Sequence, residues 1–126
     1  MRRKKVLLID DSVSSCGQTI ELLSQMGYDT VATHTLGEAV CHLQEQQFDI
    51  ILADLWADGG AGEHLLTWMR AEQREEPVVM MAIDADYDLL SEMIDKGAVD
   101  LMSKPLQLAQ LKRSLDLAQG VHLLTA

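Results

Sequence analysis

Two hydrophobic periods alternate along the chain. Short continuous apolar runs of strand length are followed, five times over, by segments whose apolar residues recur every three or four positions. The first run, Val6-Leu7-Leu8-Ile9, ends in Asp10-Asp11, as expected of a strand buried on both faces whose polar residues appear only where it emerges. Val13, Cys16, Ile20, Leu23 and Met26 then share one helical stripe, and Gly27 supplies a stop. Tyr28 to Thr33 reads as a second strand, and Leu36, Ala39, Val40 and Leu43 as the stripe of a second helix. A third strand, Phe48 to Ala53, runs into another acid, Asp54. Gly59, Gly60 and Gly62 make a loop ahead of a helix carrying Leu65, Leu66 and Met69. Pro77 opens a fourth strand, Val78 to Ile83, and Leu89, Leu90, Met93 and Ile94 mark a fourth helix closed by Gly97. Ala98 to Met102 is the fifth strand. Pro105 suits the first turn of a fifth helix, whose stripe is Leu108, Leu111, Leu115 and Ala118.

Five βα units in succession predict an α/β fold: a doubly wound, five-stranded parallel sheet with helices on both faces, because each strand needs a crossover before the next can run the same way. The order 2-1-3-4-5 is one of the two common solutions and puts strands 1 and 3 side by side where the winding reverses. The carboxyl ends of strands 1, 3 and 5 then border one crevice. Those ends carry Asp10-Asp11, Asp54 and Lys104.

Length and charge narrow the picture. With 126 residues and an apolar fraction of 48%, a single domain over 1–126 is expected, its core at about 4–118 and 119–126 a tail or the start of a linker. Twenty acidic against ten basic side chains, a formal charge of −10, argue against a nucleic-acid-binding surface and favour attraction of cations. Arg2 to Lys5 is the basic run and reads as a solvated lead-in. The apolar stretch after it is too short for a signal-peptide core or a membrane span, so a cytoplasmic location and no membrane contact are expected. Cys16 and Cys41 lack metal-ligand spacing and read as reduced, small apolar residues. His34, His42, His64 and His122 show no ligand spacing either and are expected to be solvated.

Three carboxylates in one crevice repel and raise one another's pKa unless a cation sits among them. Oxygen-only ligands with room for water suit Mg2+, or Mn2+, better than a softer metal. A metal there would shield Asp54 enough for its carboxylate to attack an anionic phosphoryl donor, and Lys104 could neutralise charge on the transferred group. Each residue also has a plainer reading. Asp10 and Asp11 could be a strand-to-helix cap, Asp54 a solvated loop acid, and Lys104 a surface lysine. Their combination at three strand ends is what favours the chemistry.

Ile9-Asp10-Asp11, Asp54, Gly62 eight residues later, and Gly97-Ala98 leading to Lys104-Pro105 together resemble the receiver domain of two-component response regulators, from Lys4 to about Ala118. The resemblance implies the flavodoxin-like fold. It implies Asp54 as phosphoacceptor, Asp11 as a direct metal ligand and Asp10 as one acting largely through water. It implies, too, that the backbone carbonyl of Trp56 completes the coordination and Lys104 contacts the phosphoryl group. Pro105 matches the family's proline, with a cis Lys104-Pro105 bond permitted at modest cost. Implied partners are a histidine kinase or phosphotransfer protein, a downstream protein or fused output domain on the face of helix 4, strand 5 and helix 5, and a second copy in a homodimer. The domain would be a signalling module rather than an enzyme.

The chain also departs from that family. Ala82 stands at the strand-4 position usually held by Thr or Ser, and Leu101 at the strand-5 position usually held by Tyr or Phe. A hydrogen bond to a charged group is worth about 1.5–3 kcal/mol, so the missing hydroxyl removes a large part of the familiar switch. Asp58 stands where Pro is common, and Asp84 and Asp86 add charge near the expected crevice. The Trp56 indole fits either the crevice rim or an interface. Two functions follow: a Mg-dependent phosphoacceptor, and an interaction module that keeps the acidic pocket but signals without phosphate.

Overall fold

The computed structural model describes residues 3–125, with side chains to Gly120; Arg2, the His122 side chain and Ala126 lie outside the described residues. In chain order the elements are β1 (Lys5–Ile9), α1 (Val13–Gln25), β2 (Asp29–Thr33), α2 (Leu36–Glu45) and β3 (Ile50–Asp54). After a 3-10 turn (Ala57–Gly59) come α3 (Ala61–Ala71), β4 (Val78–Ile83), α4 (Tyr87–Asp95), β5 (Asp100–Lys104) and α5 (Leu108–Thr125). The strands form one parallel sheet in the order β2-β1-β3-β4-β5. The expected doubly wound topology is therefore present.

The pleat sends alternate residues to opposite faces, and the apolar runs fill both. Leu7, Ile9, Ile51, Ala53, Met80 and Leu101 pack with α2, α3 and α4 on one side. Val6, Leu8, Leu52, Met81 and Met102 pack with α1 and α5 on the other. Register then sets the height of the strand ends: Ile9 pairs with Ala53, Asp54 with Met81, and Ile83 with Lys104. Asp10, Asp54 and Lys104 consequently emerge at one edge.

Helix starts are supplied by side chains that satisfy free amide groups. Ser12, Thr35 and Asp86 accept from Ser15, Glu38 and Leu89 at the starts of α1, α2 and α4. Among the described residues no helix is long and apolar enough to cross a membrane.

Several boundaries and stripes differ from the expected ones. β5 begins at Asp100 rather than Ala98, because the Ala98 N–H closes α4 by donating to Met93 O while Gly97 takes a positive φ of 109°. β5 also runs on through Lys104. Pro105, joined to Lys104 by a cis bond, therefore lies in the connection before α5 and not in its first turn. Phe48 fills the core from the loop before β3. The buried stripe of α1 is Cys16, Thr19 and Leu23, whereas Val13 is 81% exposed and Ile20 lies at the edge. Thr19 can take a buried place because its hydroxyl donates to Ser15 O at 3.0 Å. Ile94 and Leu108 likewise face solvent rather than the core. α5 runs on as helix through residues 119–125.

Gly62 lets α3 sit against β3. A Cβ there would lie 3.0 Å from Leu55 Cα, 3.0 Å from Met80 Sδ and 3.4 Å from Asp54 O. Backbone cannot move aside as a side chain can. Gly62→Ala is therefore expected to lower unfolding stability by about 1–3 kcal/mol, read as a lower urea midpoint with an unchanged slope.

Candidate functional site

β1 and β3 lie side by side and end at the same level, so Asp10, Asp11 and Asp54 converge. One carboxylate oxygen from each lies within 4.8 Å of the others. Asp10 is fully buried, Asp54 half-buried and Asp11 exposed. From the end of β5, Lys104 reaches both inner acids: Nζ is 2.8 Å from Asp10 Oδ2 and 2.7 Å from Asp54 Oδ2. Its side chain retains only 10% exposure.

The remaining carboxylate oxygens are held by backbone and hydroxyl donors. Asp10 Oδ1 accepts the Ser12 N–H at 3.0 Å, and Asp10 Oδ2 accepts the Ser15 hydroxyl at 2.7 Å. Asp54 Oδ1 accepts the Trp56 N–H at 2.9 Å, and Asp11 Oδ2 accepts the Asp58 N–H at 3.1 Å. Burial by itself would raise the Asp10 pKa, but the bonds from Lys104, Ser12 and Ser15 outweigh it and hold this acid below its ordinary value. Burial would lower the Lys104 pKa, and here the bonds to Asp10 and Asp54 win and push it up. Lys104 is thus a firmly protonated cation. One ammonium among three carboxylates leaves the cluster anionic.

The cluster opens into a crevice of about 510 Å³ lined by Asp11, Ser15, Asp54, Trp56, Ile83 and Lys104, among others. Trp56 and Ile83, 57% and 67% exposed, give it an apolar rim. Three carboxylates with no thiolate or imidazole form a hard, oxygen-only donor set, and the exposed Asp11 leaves an open side toward water. Such a set fits Mg2+ or Mn2+.

The sequence-derived residues fall into two groups. Asp10, Asp11, Asp54 and Lys104 meet, with Trp56 and Pro105 on the wall of the crevice. Ala82, fully buried, and Leu101, 7% exposed, instead belong to the apolar core on the α2–α3–α4 side, where Leu89 and Leu90 pack against the same cluster. Asp84 and Asp86 are not among the three clustered acids, and Asp86 serves to cap α4.

Sequence reasoning missed Ser12 and Ser15, noted Asp58 only as a departure from the family's proline, and expected His34 to be solvated. His34 is exposed, yet its Nδ1 lies 2.9 Å from the backbone oxygen of Asp10, so it is tied to the site rather than merely solvated. The serines carried a legible signal, a hydroxyl just after an acidic pair at a helix start. Nothing in local spacing shows that His34 meets Asp10, 24 residues away, or that Asp58 meets Asp11, 47 residues away.

The family model of the response regulator receiver domain matches residues 6–116. The transcriptional regulatory protein ZraR of Salmonella typhimurium is 27% identical over 113 residues, covering 90% of this chain and 26% of that protein. The response regulator protein PilR of Pseudomonas aeruginosa is 28% identical over 113 residues, 89% of this chain and 25% of that protein. The chain thus spans about a quarter of the length of these curated relatives. Among solved structures, the signal receiver domain of a Vibrio parahaemolyticus protein described as a Luxo repressor superposes with a TM-score of 0.88 at 26% identity, covering 98% of this chain and 95% of that one. A family match that runs from within β1 into α5, on a sheet of this topology, means that the chain belongs to the response regulator receiver family.

Proposed function

We propose that Asp54 is the phosphoacceptor of this receiver domain and that Asp10, Asp11, Asp54 and the backbone carbonyl of Trp56 hold the Mg2+ or Mn2+ that its phosphorylation needs. The observation that carries this reading is the Lys104 ammonium shared between Asp10 and Asp54 beside an open acidic crevice. A divalent ion there would supply charge neutralisation for an incoming phosphoryl group. In the transfer, a carboxylate oxygen of Asp54 forms a bond to phosphorus as the bond from phosphorus to the donor breaks, and the donor leaves with the electron pair. Lys104 follows the negative charge onto the phosphoryl oxygens from the position it already holds. Asp10 stays anionic and keeps Lys104 oriented.

The donor would be the phosphohistidine of a histidine kinase or phosphotransfer protein. The output would be a downstream protein or a fused domain on the α4–β5–α5 face, with homodimerisation on that face as one form of it. The setting is taken to be cytoplasmic, and the domain serves as a signalling module rather than an enzyme acting on other substrates. A second reading is favoured by Ala82 and Leu101, both buried in the apolar core with no hydroxyl to meet a phosphoryl oxygen. On that reading the domain binds its partner irrespective of phosphate.

Three measurements test these assignments. Acetyl phosphate with Mg2+ is expected to add one phosphoryl mass to the wild type, and neither with EDTA nor in Asp54→Ala. No gain under conditions that label an ordinary receiver would leave the interaction module standing. Lys104→Met leaves a buried Asp10 carboxylate without its cation, so in EDTA it is expected to lose about 3 kcal/mol of unfolding stability, part of which Mg2+ restores. This loss should also depend on pH. The lowered Asp10 pKa contributes stability that is complete above its unfolded value of about 3.9 and lost as pH falls through its folded value. Without Lys104, burial raises the Asp10 pKa, so the variant takes up a proton there before the wild type does, and the gap between the two in urea midpoints should narrow as pH falls from neutral.

A further inference from the structure

Asp58 has a backbone that L-residues seldom adopt, φ 50° and ψ 45°, within the turn that follows β3. It is held there from both sides. Its N–H donates to Asp11 Oδ2 at 3.1 Å, and its own carboxylate Oδ2 accepts the N–H of Leu36 at 3.1 Å. Leu36 is the first residue of α2, where amide groups have no partner inside the helix. Thr35 satisfies the Glu38 N–H, and Asp58 satisfies another with an anion at the positive end of the helix dipole. The same β2–α2 corner touches the carboxylate cluster a second time through His34 Nδ1 and Asp10 O, and Glu38 braces it by accepting the His34 N–H at 3.1 Å.

We propose that Asp58 is a positioning residue that couples divalent-cation occupancy of the Asp10–Asp11–Asp54 cluster to the start of α2. The inference rests on the metal reading given above. A cation at Asp11 withdraws electron density from the oxygen that accepts the Asp58 N–H, which weakens that bond. It also attracts the Asp58 carboxylate, an anion carried by a residue already bonded to Asp11. The first effect frees Asp58 to move, and the second draws its carboxylate away from Leu36 and releases the anchor at the α2 N-terminus. Ala82 and Leu101 offer no polar route from the cluster toward α4, whereas Asp58 and His34 provide one toward α2. Coupling is reciprocal, so the anchor in turn opposes ion binding.

Two variants separate the anchor from the charge. Asp58→Asn keeps an oxygen for the Leu36 N–H and tolerates the left-handed backbone while losing the negative charge. Asp58→Gly keeps the backbone shape and the N–H toward Asp11 but removes the anchor as well. The experiment is a MgCl2 titration of the 15N-labelled protein, following the amides of Asp11, Asp54 and Leu36. In the wild type the Leu36 amide is expected to move upfield with the same midpoint as Asp54. In Asp58→Gly the Asp54 shift should persist and the Leu36 response vanish. Mg2+ should bind Asp58→Gly at least about five-fold more tightly than Asp58→Asn, the low end of the range for coupled sites. A Leu36 amide that ignores Mg2+ while Asp11 and Asp54 respond would overturn the coupling alone. So would a Leu36 response that survives in Asp58→Gly, or equal affinities of the two variants. If Asp11 and Asp54 fail to respond in the wild type, the metal reading itself falls and the coupling with it.

Discussion

Lys104 is the group on which the arrangement of the site depends. It is the single ammonium between two inner carboxylates, one of them fully buried, and a buried charge without a partner costs several kcal/mol. Its position follows from the sheet: β5 must run two residues past Met102, the last of its apolar stretch, for Nζ to arrive between Asp10 and Asp54. The serines complete what the lysine begins. Their donors let Asp10 remain ionised in a place where burial alone would favour the neutral acid.

An anionic cluster with one open side and an apolar rim is suited to gathering a hard cation and a phosphoryl group at once. The same surroundings leave little means of reporting that event toward α4. Ala82 and Leu101 are packed among apolar side chains, and a group shifts an equilibrium only through interactions that differ between two states. Besides the contacts to the start of α1 and to Trp56, polar contacts run from the cluster to the β2–α2 corner, through His34 and Asp58. On the proposed reading, phosphoryl chemistry and signal transmission would be separable: the first would depend on the strand ends, the second on which side chains border them.

The fold was legible because its information is local and periodic. Val6 to Ile9, Val78 to Ile83 and the Leu65-Leu66-Met69 stripe each announce an element, and the alternation of periods leaves few topologies. Boundaries were less legible. Ala98 belongs to the end of α4 by its hydrogen bond, although its neighbours read as strand, and Pro105 lies before α5 because β5 continues through Lys104. The α1 stripe shifted for a related reason. A threonine whose hydroxyl finds a backbone carbonyl one turn away can be buried, so the apolar pattern by itself put Ile20 in the stripe where the structure buries Thr19.

By itself the sequence determined that acids stand at the ends of β1 and β3 and a lysine at the end of β5, because residue type and apolar runs are written in order along the chain. It determined, too, that the hydroxyl and the aromatic ring usual in the family are absent. Only the tertiary structure decided that Lys104 divides itself between Asp10 and Asp54, that Asp11 faces solvent and is tied to Asp58, and that His34 grips the Asp10 carbonyl. These contacts join residues 24 to 94 positions apart, and their geometry depends on strand register and loop path. No periodicity in one segment encodes the position of another, so such contacts emerge only when the sheet has brought its strand ends together.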